Sequence, residues 1–297
     1  MGVAALTALA ACSSDPSSSD DRLRISVTTT ILGDVVQNLV GGDAVVEVVM
    51  PPNTDPHDFA PSARQANAMR EADALVVNGL GFEEGLLDTI EAAEDDGVPV
   101  ITAADAIEPI PLAGEHADEH TEDPHLFTDP TRVRQAAELI AEQLLAEIPE
   151  LDTPGFAGRA AAYLAELDAL DAEVDELLSA IPAEERLLVT NHEVFGYFAD
   201  RYGFELLGVV VPGGSTLAEP SASGLADLVH EIEEHGVPAV FADTSSPTRL
   251  ADALAAEGTD VKVVELYSES LGEAGSPGAT YIGMIRTNAQ RIATALG

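Results

Sequence analysis

A chain of 297 residues exceeds the usual size of a single core, which predicts two lobes, and its 46% apolar content excludes global disorder. Thirteen Lys and Arg against 53 Asp and Glu give a net charge of −40, which repels nucleic acid and anionic lipid headgroups and attracts cations. One cysteine excludes a disulfide framework, a Cys-based zinc ribbon and an iron–sulfur cluster.

Residues 3–11 (VAALTALAA) form an apolar run that ends at Cys12. The run is far shorter than the ~20 residues a spanning helix needs, and its length suits the apolar region of a secretion signal. Leu9-Ala10-Ala11-Cys12 looks like a bacterial lipobox, where small residues admit a peptidase that cuts before a lipid-bearing cysteine. Residues 1–11 are therefore expected to be a signal peptide. Cys12 is the expected lipidation site, and 12–22, containing SSDPSSSDD, a flexible tether. Acyl chains on Cys12 would place the folded part outside the cell, at the outer face of the cytoplasmic membrane.

From Arg24 onward, short β-rich runs alternate with helical ones. RISVTTT (24–30), AVVEVVM (44–50), ADALVVN (72–78) and VPVITAA (98–104) predict buried strands. ILGDVVQNLVG and SARQANAMREA carry helical spacing between them, the latter starting after Pro61-Ser62. A second set follows in RLLVTN (186–191), GFELLGVVV (203–211), VPAVFAD (237–243) and VKVVELY (261–267), with SASGLADLVHEIEEHG (221–236) as a helix. The alternation predicts an α/β protein of two lobes with mainly parallel sheets flanked by helices, over 23–150 and 183–297. Between them, in 151–182, Leu164, Leu167, Leu170, Val174, Leu177 and Leu178 fall on one helical stripe, with acids on the opposite face. A helix of about 26 residues would be ~40 Å long, a stiff connector between the lobes.

Motifs of catalysis are missing. HEIEEH (230–235) separates its histidines by five residues, off one helical face, so it is no HExxH metal site, and His230 and His235 receive no role. The chain has neither a Walker-type phosphate loop nor a G-x-S-x-G elbow, and Asn78-Gly-Leu-Gly81 after a strand lacks the third glycine of a dinucleotide loop. Three histidines stand out instead. His57 lies in the Pro-stiffened loop PPNTDPHDF after a strand. His125 lies in DPHLFTDP before a helix starting near Thr131, and His192 follows RLLVTN and opens the next helix. Ligands gather at the carboxyl ends of strands in α/β sheets, and converging imidazoles completed by a carboxylate suit zinc and its neighbours.

PPNTDPHDFAPSARQANAMREADALVVNGLGFE (51–83), DPHLFTDP, NHEVFGYFADRYGF (191–204) and LYSESLGEAGSPGATYIGMIRTN (266–288) resemble, in order and spacing from about residue 24 to 297, the zinc and manganese receptors of ABC transporters. The resemblance implies two α/β lobes joined by one long helix, with a metal ion between them as cargo, not catalyst. Carried over by motif, His57 and His125 are ligands from the N-terminal lobe and His192 the first from the C-terminal lobe. Manganese-type members commonly have Glu at that third position and zinc-type members His, which favours Zn2+ over Mn2+ or Fe2+. The fourth position is usually Asp. The aligned residue here is Glu269, one methylene longer, and Asp243 at the end of VPAVFAD is the alternative. The segment EHADEHTED (115–123), with His116 and His120, matches the place where zinc-type members carry a His- and acid-rich loop implied to gather metal; a plain solvated loop is the other reading.

The implied mechanism is capture and handover by a monomer. The ion ties the lobes together, and a membrane permease recognises the loaded form and takes the ion. A stiff linker predicts small lobe movements. Rival readings are a manganese or iron receptor, an adhesin lipoprotein in which metal is structural, and a secreted metallohydrolase, which would need an open metal position.

Overall fold

A computed structural model describes residues 22–112, 121–213, 215–217, 221–244, 253–254 and 261–297. The expected signal segment, Cys12, the tether up to residue 21, and both His116 and His120 lie outside the described residues.

The first lobe is built on four parallel strands, β1 (Arg24–Val27), β2 (Val45–Val48), β3 (Ala74–Val77) and β4 (Val100–Thr102), in the order β2-β1-β3-β4. The central β3, ALVV, is buried at every residue, which is why it reads as an unbroken apolar run rather than an alternating one. Helices α1 (Thr30–Val40), α2 (Ala63–Arg70), α3 (Leu87–Asp95) and α4 (Pro130–Glu147) accompany this sheet. The second lobe repeats the order with β5 (Leu187–Thr190), β6 (Glu205–Val209), β7 (Ala239–Asp243) and β8 (Lys262–Leu266) as β6-β5-β7-β8, all parallel. Helices α6 (Gly196–Tyr202), α7 (Ala222–His235) and the C-terminal α8 (Tyr281–Leu296) accompany it.

Helix α5 (Pro154–Leu178) joins the two lobes. Thr153 caps its start by accepting the Phe156 N–H, and Pro154 occupies the first turn, where a missing N–H costs nothing. Leu167, Leu170, Val174 and Leu178 of the expected stripe are buried, as are Phe156 and Tyr163, while Leu164 and Leu177 pack at its margin. The helix packs on α1 and α4 of the first lobe and on α8 of the second. Polar clamps reinforce both ends. Near the start, Arg159 donates to the Leu39 and Val40 carbonyls, which the end of α1 leaves without helical partners. Gly41, at φ +59°, turns the chain there without a Cβ that would press on the Arg159 side chain. Near the other end, Arg201 pairs with Asp171 at 2.9 and 2.5 Å, and Arg286 pairs with Glu173 through two 2.7 Å bonds. One apolar cluster consequently runs from Ile25 through α5 to Leu296, so the lobes share a core rather than hang on a flexible hinge.

Two local expectations need correction. His192 does not open a helix: it sits in a bend after β5, and α6 begins only at Gly196. His125 does not follow a strand, because it precedes a single 3-10 turn (Leu126–Thr128) that leads into α4. Pro124 and Pro130 bracket that turn, and Asp129 caps α4 by accepting the Thr131 N–H.

Candidate metal centre

The two N-lobe histidines are held by the same local device. In Asp55-Pro56-His57 the His57 N–H donates to Asp55 Oδ1 at 3.0 Å, and in Asp123-Pro124-His125 the His125 N–H donates to Asp123 Oδ1 at 2.9 Å. Each is an Asx-type turn with a proline fixing the middle residue. The imidazoles then diverge in their outer partners. His57 Nδ1 meets Glu84 Oε1 at 3.1 Å, whereas His125 Nδ1 meets the same Asp123 oxygen that holds its backbone, at 2.8 Å. With Nδ1 engaged, both rings turn Nε2 inward.

The second lobe supplies the facing groups. His192 lies two residues beyond β5, its carbonyl accepting from the Thr190 hydroxyl at 2.7 Å. Glu269 lies just beyond β8, between Ser268, whose hydroxyl donates to Asp243, and Ser270. Ser270 Oγ accepts the Asn53 N–H at 2.9 Å and lies 3.3 Å from Thr30 Oγ1, so the Glu269 loop is tied to the first lobe at two points. A second tie joins Thr216 to the free oxygen of Asp55 at 2.5 Å. From the other side, Tyr197 of α6 donates to the Asp123 carbonyl at 2.8 Å.

These supports bring four side chains to one point. Glu269 Oε1 lies 2.8 Å from His57 Nε2, 3.2 Å from His192 Nε2 and 3.5 Å from His125 Nε2. One donor atom from each of the four lies within 4.8 Å of every other, and the residues are between 0% and 4% exposed. The 3.5 Å approach is at the limit of a hydrogen bond, and His125 Nε2, His192 Nδ1 and Glu269 Oε2, although buried, have no well-formed partner among the described residues. Phe82 and Phe127 close the cluster with ring edges, Phe82 at 5.4 Å from His57 and 5.7 Å from His125. Asp243 stands outside the converging group, its carboxylate taken up with Ser268, and His230 and His235 lie exposed on α7.

Electrostatics follow from burial and pairing. Burial alone would push His125 down, but the charge and hydrogen bond of Asp123, with those of Glu269, raise it to about 9. His57 is likewise lowered by burial yet raised overall by Glu269. Burial would raise Glu269, and the charge of His192 together with hydrogen bonds from all three imidazoles brings it well below the ordinary range. Burial pushes neighbouring Glu193 up to about 7 against the Gly213 N–H that its carboxylate accepts.

Asp123 and Glu84 belong to no motif that marks them singly as partners of a histidine, although the tripeptide Asp-Pro-His, which occurs twice, signals the first. Replacing Asp123 by alanine leaves a buried imidazole N–H without an acceptor and frees the ring to turn. Metal affinity is expected to fall roughly 10- to 100-fold, read by competition with a chromogenic chelator. Unchanged affinity would show that Asp123 does not orient His125.

Two parallel-sheet lobes on a shared rigid helix, with a buried histidine–carboxylate cluster where their strand ends meet, define a solute-binding receptor for a cation. The chain belongs to the family of zinc-uptake complex component A, periplasmic, whose profile matches residues 25–295. It is 32% identical over 289 residues to the zinc-binding protein TroA of Treponema pallidum, spanning 95% of this chain and 92% of that one. The solved TroA structure superposes with a TM-score of 0.84, covering 93% of this chain and 99% of TroA. The manganese-binding lipoprotein MntA of Halalkalibacterium halodurans is 30% identical over 298 residues, 99% of this chain and 96% of that one. The iron-binding protein YfeA of Yersinia pestis is 29% identical over 292 residues, 98% of this chain and 92% of that one. The protein is therefore a metal-binding receptor of the ABC-transporter type and not an enzyme, and its cargo is a divalent metal ion. Among the described residues no helix is long and apolar enough to cross a membrane.

Proposed function

We propose that this receptor captures Zn2+ between its lobes with His57, His125, His192 and Glu269 and delivers it to an ABC permease. The observation that carries the reading is the donor set itself. The Glu269 oxygen lies 2.8 to 3.5 Å from the three imidazole nitrogens and all four donor atoms lie within 4.8 Å of one another, close enough for an ion with bonds of about 2.0–2.2 Å to draw them into a tetrahedron. Three nitrogens against one oxygen make a site softer than the oxygen-rich ones that Mn2+ prefers. Four protein ligands also leave no open position for a reactive water, as cargo binding requires. Lipid on Cys12 would tether the receptor at the outer face of the cytoplasmic membrane, where a monomer suffices.

Manganese or iron as cargo is the second reading, favoured by the kinship with MntA and YfeA and by the hard carboxylate. A titration of metal-stripped protein with Zn2+ in excess Mn2+, following bound metal directly, separates the two. One tight zinc site per chain that manganese does not displace is expected. Displacement by manganese moves the assignment to Mn2+, and no stoichiometric site for either metal overturns the receptor reading for this site.

A further inference from the structure

The turn Asn78-Gly-Leu-Gly-Phe-Glu-Glu84 after β3, whose glycines faintly suggest a nucleotide loop, surrounds the two N-lobe histidines from outside. Asn78 Nδ2 donates to the Pro124 carbonyl, next to His125, at 2.9 Å. Phe82 sets its ring edge-on to both His57 and His125, and Glu84 accepts from His57 Nδ1. Gly79, Leu80 and Gly81 all have positive φ, at +90°, +56° and +76°. A leucine in that region is strained, and such a turn persists only where its surroundings fix it. Glu83 fixes this one. It is 1% exposed, and its carboxylate accepts the Asn78 N–H at 2.5 Å, the Gly79 N–H at 3.3 Å and the Thr28 hydroxyl, beyond the end of β1, at 2.7 Å.

We propose that Glu83 is a positioning residue for metal capture: by closing the turn 78–84 onto β1, it sets Asn78, Phe82 and Glu84 against the outer sides of His57 and His125. The inference rests on the assignment of those histidines as metal ligands. Glu83 touches neither histidine and acts through its neighbours on the turn. Three donors converge on its two oxygens, so a carboxylate fits and an amide does not. Glutamine would turn an NH2 group toward one of the donors and open the turn.

The test compares the intact protein with Glu83→Gln and with Leu144→Ala, a cavity variant in the buried face of α4 far along the chain from the turn. Zinc affinity is read by chelator competition, stability by urea unfolding of the metal-free protein, and ring nitrogens by long-range 1H–15N spectra of the loaded protein. Glu83→Gln is expected to lose about 10- to 100-fold in affinity and to shift or split the His57 and His125 ring signals while leaving those of His192 in place. Leu144→Ala is expected to lose stability without either effect. Affinity within twofold of the unaltered protein, or a loss that only tracks unfolding as in Leu144→Ala, overturns the positioning role. Should Glu83→Gln fail to fold, Thr28→Val, which removes one donor to the carboxylate, is expected to move the same two sets of signals with a smaller loss, and unchanged signals overturn the inference. If the unaltered protein binds no stoichiometric zinc, the ligand assignment fails rather than the role of Glu83 alone.

Discussion

Glu269→Gln is expected to weaken Zn2+ binding by about 10²- to 10³-fold. A closed four-ligand zinc site is worth about 10–16 kcal/mol, so one ligand's share is roughly 2.5–4 kcal/mol. The amide keeps the shape of the side chain but removes the one charge that all three imidazoles face, at 2.8, 3.2 and 3.5 Å. The variant also takes away the Glu269 contribution that raises His57 and part of that which raises His125, so both rings release their protons at lower pH than in the unaltered protein. Chelator competition reads the affinity, and NMR titration of the metal-free protein reads the rings. Asp243→Asn serves as the comparison. If that substitution abolishes binding while Glu269→Gln stays within tenfold of the unaltered protein, the fourth ligand is Asp243 and the assignment here is wrong.

Most of the scaffold was legible because the parallel strands are short apolar runs, unbroken in β3 and, up to its final Asp243, in β7, which are both buried at every residue. Each of the eight expected runs contains a strand, in two sets with the same parallel order. The runs overshoot at their ends for a definable reason. RISVTTT is β-rich through Thr30, yet the ladder stops at Val27, because Thr29 turns its hydroxyl to cap α1 on the Leu32 N–H and Thr30 already belongs to the helix. Threonine serves both states, and composition alone does not tell which. The linker helix was legible from its leucine stripe, but the clamps that make it rigid, Arg159 on α1 and Arg286 on Glu173, pair residues more than a hundred positions apart.

The site divides along the same line. The three histidines are marked locally by prolines and strand ends, and the structure brings them together with Glu269, which only the resemblance singled out. What surrounds them was less visible. Glu84 meets His57 across 27 positions, by way of a turn that the sequence presents as a defective nucleotide loop. Local patterning reports which way a backbone segment runs, whereas outer contacts depend on how segments distant in sequence are packed together.

Protons and metal should each stabilise the folded protein but vary with pH in opposite directions, because His125 is held up to about 9 and His57 is also raised. A group whose folded value lies above its unfolded value near 6.5 stabilises the folded protein fully below pH 6.5 and loses that contribution as pH climbs through its folded value. The metal-free protein is therefore expected to become less stable between pH 6.5 and 9. Glu269, held well below its ordinary range, works the other way: its contribution is present above the unfolded carboxylate value and disappears only in strong acid, so it does not cancel the trend in this window. Metal binds only deprotonated imidazoles, so each proton displaced steepens affinity by up to about tenfold per pH unit below the folded value. An ion present at about 100 times its Kd adds roughly 2.7 kcal/mol of stability, and this term grows as Kd falls with rising pH. The gap in Tm between zinc-loaded and metal-free protein is thus expected to widen steadily from pH 6.5 to 8.5, with the metal-free curve falling, as scanning calorimetry at fixed free zinc would record. A gap that stays constant or narrows over that range would mean that the protons on His125 and His57 do not compete with the metal, and that the ion binds elsewhere.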